Sequence, residues 1–258
     1  MYKTTAFLYE AIGAAFEEPD KVCKDILGIF RRHGIEPPGV MADLGAGTGL
    51  MSVLFATAGW DVYGVEISRA MITVAQAKLA TLPGRIKHRL VWTQGDITDF
   101  VPPLGMRFHT AVCLCNTINH LVTWPQVEGF VRSAFQTLKP GGLLVLDSDV
   151  LDTFRNFFDH RPVVVWDDSN YRMTRACSLD PGTGLASHVA RLEKYEAGGL
   201  QPLSEEAMQL RYHPESDLQA AFLAAGFELH ETRPFNPFPN LYGEDFIPKV
   251  LWVLKKPG

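Results

Sequence analysis

Val40-Met41-Ala42-Asp43-Leu44-Gly45-Ala46-Gly47-Thr48-Gly49 reads as a short apolar strand running into a glycine turn, and Leu50-Met51-Ser52-Val53-Leu54-Phe55-Ala56 reads as the helix behind it. Without a Cβ, glycines 45, 47 and 49 allow a tight turn and a close approach of backbone to a ligand. Two details decide which ligand. The third glycine arrives one residue early for the dinucleotide pattern G-x-G-x-x-G, because position 50 is Leu. An acid, Asp43, stands two residues before the first glycine. A pyrophosphate gains nothing from a carboxylate there, whereas a ligand carrying an ammonium and a sulfonium does.

Two further acids follow at strand ends. Asp61-Val62-Tyr63-Gly64-Val65-Glu66 reads as a second strand closing on a carboxylate. Glu66 lies about 20 residues past the loop, where an acid accepts from both hydroxyls of a ribose. Leu90-Val91-Trp92-Thr93-Gln94-Gly95-Asp96-Ile97 reads as a third strand with Gly-Asp-Ile at its end. Any one of these acids alone reads equally well as a helix cap. Three at the ends of consecutive strands point to one site.

On these residues the chain resembles the class I S-adenosylmethionine (SAM)-dependent methyltransferases, whose first motif is D/E-x-G-x-G-x-G. The resemblance covers residues 36–150 most strongly. It implies a Rossmann-like, doubly wound seven-stranded α/β sheet with SAM as cofactor. It also implies a SAM site made of Asp43, Gly45, Ala46, Gly47, Glu66, Ile67, Met71, Asp96, Ile97, Cys115 and Asn116. In that family the acid at the third strand accepts from the adenine amino group, and the next backbone N–H meets the ring nitrogen.

Outward from the loop the chain alternates strand and helix, as a parallel sheet demands. Residues 1 to about 35 read as helical, with Val22, Ile26, Ile29 and Phe30 on one stripe and a stop near Gly34 and Pro37-Pro38. Ser68 caps a helix through Met71, Val74, Ala75 and Leu79. Phe108–Cys115 is the expected fourth strand, and Thr123-Trp124-Pro125-Gln126 fits a capping box for the next helix. Lys139-Pro140-Gly141-Gly142 ends that helix before a fifth strand at Leu143–Leu146. Residues 161–213 then turn β-rich, with runs at 163–166, 171–177 and 187–195, and predict an antiparallel meander inserted into the core. Helix returns from Pro214 to a stop at Gly226, and strands follow at 227–233 and 246–254, where Pro248 suggests a bulge or an edge. The expected divisions are an N-terminal helical lid at 1–35, a core at 36–150 and 214–258, and the insertion at 151–213.

With 24 Lys and Arg against 29 Asp and Glu, the net charge of −5 comes without a basic block, so neither nucleic acid nor an anionic membrane is an expected partner. No apolar run reaches the length of a membrane span, and the start of the chain lacks a signal-peptide core, which predicts a cytoplasmic location. Cys113 and Cys115, two apart in a strand-like run, are expected on one face and unable to bridge. No Cys-His spacing resembles a zinc site.

For chemistry, His120 follows the fourth strand beside the expected methyl position, with an ordinary pKa that moves protons near neutral pH. It either serves the acceptor or only bonds a backbone carbonyl and shapes its loop. Tyr9 is the second catalytic candidate. Ala6-Phe7-Leu8-Tyr9-Glu10 resembles the F/Y-A-x-x-Y-D lid motif of small-molecule methyltransferases, with Glu in place of Asp. The match is close to sugar N-methyltransferases, where a lid Tyr and a loop His flank the acceptor nitrogen. Tyr2, Phe7 and Tyr9 read equally as core aromatics. Asp147 and Asp149 near the acceptor lack the further ligands of catechol-type O-methyltransferases, so no metal is expected. Arg211-Tyr212-His213 either lines the pocket or ties the meander to the core. The resulting expectation is methyl transfer to a nitrogen or oxygen of a small polar molecule by a monomer or homodimer. A SAM-binding sensor without catalysis and, less favoured by Asp43, an NAD-dependent oxidoreductase are the rivals.

Overall fold

In the computed structural model, residues 6, 9, 18–151, 162–237 and 249–258 are described. Tyr2, Phe7, Glu10 and most of residues 1–17 of the expected lid lie outside them, as do Phe246–Pro248 at the start of the expected last strand.

Helix α1 (Pro19–Arg32) buries Val22, Cys23, Ile26, Ile29 and Phe30, residues three and four apart that fall on one face. Strand β1 (Val40–Leu44), helix α2 (Leu50–Thr57), strand β2 (Asp61–Glu66), helix α3 (Arg69–Lys78) and strand β3 (Leu90–Gln94) follow. Next come β4 (Phe108–Cys113), helix α4 (Trp124–Thr137) and β5 (Leu138–Asp149). Four strands form a second sheet: β6 (Val163–Asp167), β7 (Tyr171–Asp180), β8 (Leu185–Glu196) and β9 (Gly199–Arg211). Helix α5 (Glu215–Ala224), β10 (Glu228–Phe235) and β11 (Lys249–Lys255) complete the order.

The first sheet has seven strands in the order β10-β11-β5-β4-β1-β2-β3. Strands β5, β4, β1, β2 and β3 are mutually parallel, and β11 runs antiparallel to both its neighbours. Successive strand residues face opposite sides. Met41, Val112, Val145 and Val253 join Ile26, Phe30, Phe55 and Trp60 in one core. Ala42, Ala111, Leu144 and Trp252 join Phe130 and Phe222 in the other. Helices therefore cover both faces, and the strands read as near-continuous apolar runs. The strand order reverses between β1 and β4, which opens a crevice at their carboxyl ends.

Several expectations need correction. Strand β4 ends at Cys113, and Cys115 has left the ladder with a φ of 59°. Cys113 packs in one core while Cys115 packs against the other, so they do not share a face. All four cysteines are free thiols. Strand β5 begins at Leu138 and carries Lys139-Pro140-Gly141-Gly142 within it. There the tail of the chain supplies partners: Gly141 N donates to Lys256 O at 2.9 Å, and Lys256 N donates to Gly142 O at 2.9 Å. The meander has a further strand, β9, whose residues are mostly exposed and whose run Pro202 interrupts, so no alternating apolar pattern marks it. Pro248, expected at a bulge or an edge, lies outside the described residues; from Lys249 on β11 lies inside the sheet, and the edge is β10, which carries Pro234 where a missing N–H is tolerated. Among the described residues, no helix is long and apolar enough to cross a membrane.

Candidate functional site

The turn after β1 is built by pairing and crowding. Gly45 N and Ala46 N donate to Val65 O at 2.8 and 3.0 Å, which folds the loop back over β2. Gly45 has a φ of 81°, and a Cβ there would fall 2.4 Å from Thr117 Cγ2. Gly47 has a φ of 55° and faces open space, the space a ligand would fill.

Three acids surround that space. Asp43 is 3% exposed, and its Oδ2 accepts from Ser52 Oγ at 2.5 Å. Ser52 Oγ in turn accepts from Trp92 Nε1 at 3.1 Å. Burial pushes the Asp43 carboxyl up to about 6 against the pull of the Ser52 bond, and the nearby Glu66 charge adds to the rise. Glu66 accepts from Gly47 N on one oxygen at 2.9 Å and from Ser68 N on the other at 2.7 Å. Asp96 is exposed and accepts from Thr98 N at 2.9 Å. Ser68 also caps α3, its hydroxyl accepting from Met71 N at 3.4 Å.

All three acids line one cavity of about 580 Å³. Gly45, Ala46, Gly47, Ile67, Met71, Ile97, Cys115, Tyr9 and His120 line it too. Of the expected site residues, Asn116 alone is not among those lining it. Its N–H is turned onto Asp147 Oδ1 at 2.8 Å, and its φ of 63° carries the chain away.

The far end of the cavity rests on a buried ionic cluster. Asp147 accepts Cys115 N and Asn116 N, one on each oxygen at 2.8 Å, and so holds two consecutive non-glycine residues in the left-handed region. Lys249, 0% exposed, donates to Asp149 at 2.6 Å and to Asp147 at 3.3 Å. Burial alone would lower the Lys249 pKa; the two aspartates outweigh it and hold the ammonium charged. The Asp147–Asp149 pair therefore faces an internal ammonium. Asn119 Nδ2 donates to Arg211 O at 2.8 Å, and Asn119 Oδ1 accepts from Asp149 N at 2.9 Å. Arg211 Nη1 donates to Val122 O at 2.9 Å and His213 Nε2 to Leu121 O at 2.8 Å. The Arg211-Tyr212-His213 run thus ties the second sheet to the loop that presents His120.

His120 departs from the expected near-neutral titration. Burial, then the charges of Arg175 and Lys249, pull its pKa down to about 4, so the ring is neutral at physiological pH. Sequence reasoning missed Ser52, Asn119 and Lys249. For Lys249 a signal existed: a lysine directly abutting the apolar run Val250–Leu254.

The arrangement fits SAM by its donor set: a desolvated carboxylate ready for a cation, a second with cavity-facing lone pairs, and an open glycine backbone between them. Residues 42–144 match the family described as a methyltransferase domain. The protein YqeM of Bacillus subtilis (strain 168), named as a methyltransferase, is 31% identical over 109 residues, 42% of this chain and 42% of that protein. The chain therefore matches less than half of that relative's length. A dTDP-3-amino-3,4,6-trideoxy-alpha-D-glucopyranose N,N-dimethyltransferase of Streptomyces venezuelae is 26% identical over 207 residues, 80% of this chain and 81% of that one. The SAM-bound structure of an amino pentose methyltransferase of calicheamicin biosynthesis from Micromonospora echinaspora superposes with a TM-score of 0.73 at 24% identity, covering 96% of each chain.

Proposed function

The chain carries a methyltransferase domain of the SAM-dependent class, and from that premise we propose that it methylates an amine nitrogen of a small polar acceptor. What carries the choice of nitrogen is the setting of His120: it is half-buried, and burial together with the charges of Arg175 and Lys249 lowers its pKa to about 4. A hydroxyl acceptor must surrender a proton, and a base matched to neutral pH speeds that by roughly 10²–10⁴-fold. His120 is too weak a base for this role. An amine that arrives as its free base needs none, and the same positive field discourages its ammonium form.

Bound SAM supplies an electrophilic methyl group on a positively charged sulfur. Asp43 would receive the ammonium of the cofactor, Glu66 its ribose hydroxyls and Asp96 its adenine. Neutral His120 would hydrogen-bond the acceptor amine, and Tyr9 would bound the same space. Positioning of this kind contributes on the order of 7–11 kcal/mol to methyl transfer. Amino sugars are the first acceptors to test, because the Streptomyces venezuelae relative is named for one.

The test is a matched pair: an amino sugar and the sugar bearing hydroxyl at the same carbon, each incubated with enzyme and SAM and read by mass spectrometry. Methylation of the amine alone is expected. Methylation of the hydroxyl compound at a comparable rate would overturn the assignment. In the same assay His120→Asn should raise the acceptor KM and lower kcat by less than the roughly 10²-fold that loss of a true base costs.

A further inference from the structure

The inward face of the second sheet holds a cation whose hydrogen-bonding groups the site described above leaves unused. In β7, Met173, Arg175 and Cys177 share the inward face, and the register sets Ala190 beside Arg175 and His188 beside Cys177. The other arginines of the sheet have partners: Arg172 pairs with Asp167 at 2.7 Å, Arg191 with Glu205 at 2.6 Å, and Arg211 donates to Val122 O at 2.9 Å. Arg175 is different. Its Nε is buried and has no hydrogen-bond partner, and the arginine makes no ion pair among the described residues.

The nearby carboxylate of Asp149 makes no hydrogen bond or ion pair to Arg175. Asp149 lies within reach of the Arg175 charge, but Lys249 already engages it at 2.6 Å, and Lys249 also engages Asp147. Cys177 and His188 answer each other, Sγ and Nδ1 lying 2.9 Å apart. Ala190, the residue opposite Arg175 in the register, is small and offers it no polar group. A half-buried guanidinium with an unmet N–H is costly unless an anion arrives to meet it. Its planar fork suits an oxyanion, which it can bind through two parallel hydrogen bonds. Its charge is felt at His120, which lines the cavity, and at His188. The second sheet is bonded to the His120 loop through Asn119 and Arg211.

We propose that Arg175 is the receptor for an oxyanion carried by the methyl acceptor, a carboxylate or a phosphate ester, whose amine is then presented at His120. This rests on the reading of the site as an amine methyltransferase and adds to it that the acceptor is anionic. Acceptor choice then resides in the second sheet, and cofactor binding in the first.

Titration calorimetry on the full chain with S-adenosylhomocysteine present tests this, using acetate and inorganic pyrophosphate as separate probes. One probe should bind the wild-type protein, and R175Q should weaken it about tenfold or more, with S-adenosylhomocysteine affinity unchanged. R175K, which keeps the charge and loses the fork, should fall between. Binding of acetate alone assigns a carboxylate, and binding of pyrophosphate alone assigns a phosphate. Absence of both from the wild-type protein, a result independent of any variant's folding, would overturn the proposal; so would equal binding by a folded R175Q. In turnover assays, R175Q should raise KM for anionic amines by far more than it changes KM for neutral amines. Neutral amines methylated without any anion preference would sink this inference while leaving the amine assignment standing. Anion binding without amine methylation would do the reverse.

Discussion

Asp43 shows how a single residue can be set for a charge it does not yet meet. Its carboxyl holds a proton more tightly folded than unfolded, so its contribution to stability is complete below the ordinary value of 3.8 and is lost as pH rises through about 6. At neutral pH the ligand-free protein thus carries a buried carboxylate at some cost, which a cationic ligand relieves. SAM affinity should be flat above about pH 6 and fall by up to about tenfold per unit below it, measured by calorimetry across pH 5–8. Asp43→Asn should remove that dependence, weaken SAM binding and raise the melting temperature of the ligand-free protein at pH 7. Glu66 works differently, because it also fixes the loop through Gly47 N and Ser68 N. Glu66→Ala should weaken SAM binding by about tenfold or more, since a charged hydrogen-bond partner is worth roughly 1.5–3 kcal/mol. Unchanged affinity by the same titration would place the cofactor elsewhere.

At the scale of elements, what could be read depended on whether local chemistry or a distant partner decides. The glycine turn after β1, the capping box in which Thr123 N donates to Gln126 Oε1 at 3.0 Å, and the stop at Gly226 are all set by residues within a few positions. They matched expectation. The start of β5 did not, because Lys139-Pro140-Gly141-Gly142 has the composition of a turn and becomes strand only where Lys256 reaches it. Likewise Cys115 leaves β4 because Asp147, 32 residues on, captures its N–H. The cavity was legible for the same reason as the first turn, its acids ending strands whose pattern is local; the ionic floor beneath it joins β5 to β11 across about a hundred residues and was not. Lys249→Met should leave two buried carboxylates without their counter-ion and cost about 3–5 kcal/mol, read as a drop in thermal or urea stability. Adding Asp149→Asn should recover part of that loss. A wild-type melting temperature in Lys249→Met alone would show that the cluster is not what holds this corner.

For the whole molecule, the two sheets meet at the loop that carries His120. The seven-stranded sheet brings the three acids to one rim, and the four-stranded sheet hangs from the His120 loop by Asn119, Arg211 and His213. Asn119→Ala loses a bond to each side at once. It should raise the acceptor KM while SAM affinity, set on the other side of the cavity, stays as it was. Parallel loss of both by calorimetry and steady-state kinetics would mean that the second sheet supports the core and does not select the acceptor.

The bonds that suspend the second sheet end on main-chain oxygens: those of Arg211, Val122 and Leu121. A carbonyl is present whatever side chain its residue carries. The side chains those bonds need sit at Asn119, Arg211 and His213, outside β6, β7 and β8, so the inward positions of those three strands carry none of these bonds, and Cys177 and Ala186 among them pack with Tyr212 and Leu151 at the junction. Residues such as Arg175 and Ala190 can then change without unhooking the sheet. Such a layout behaves as an exchangeable cassette: a new acceptor range could be grafted by rewriting one face of three strands, with the cofactor rim and its hinge points kept as they are.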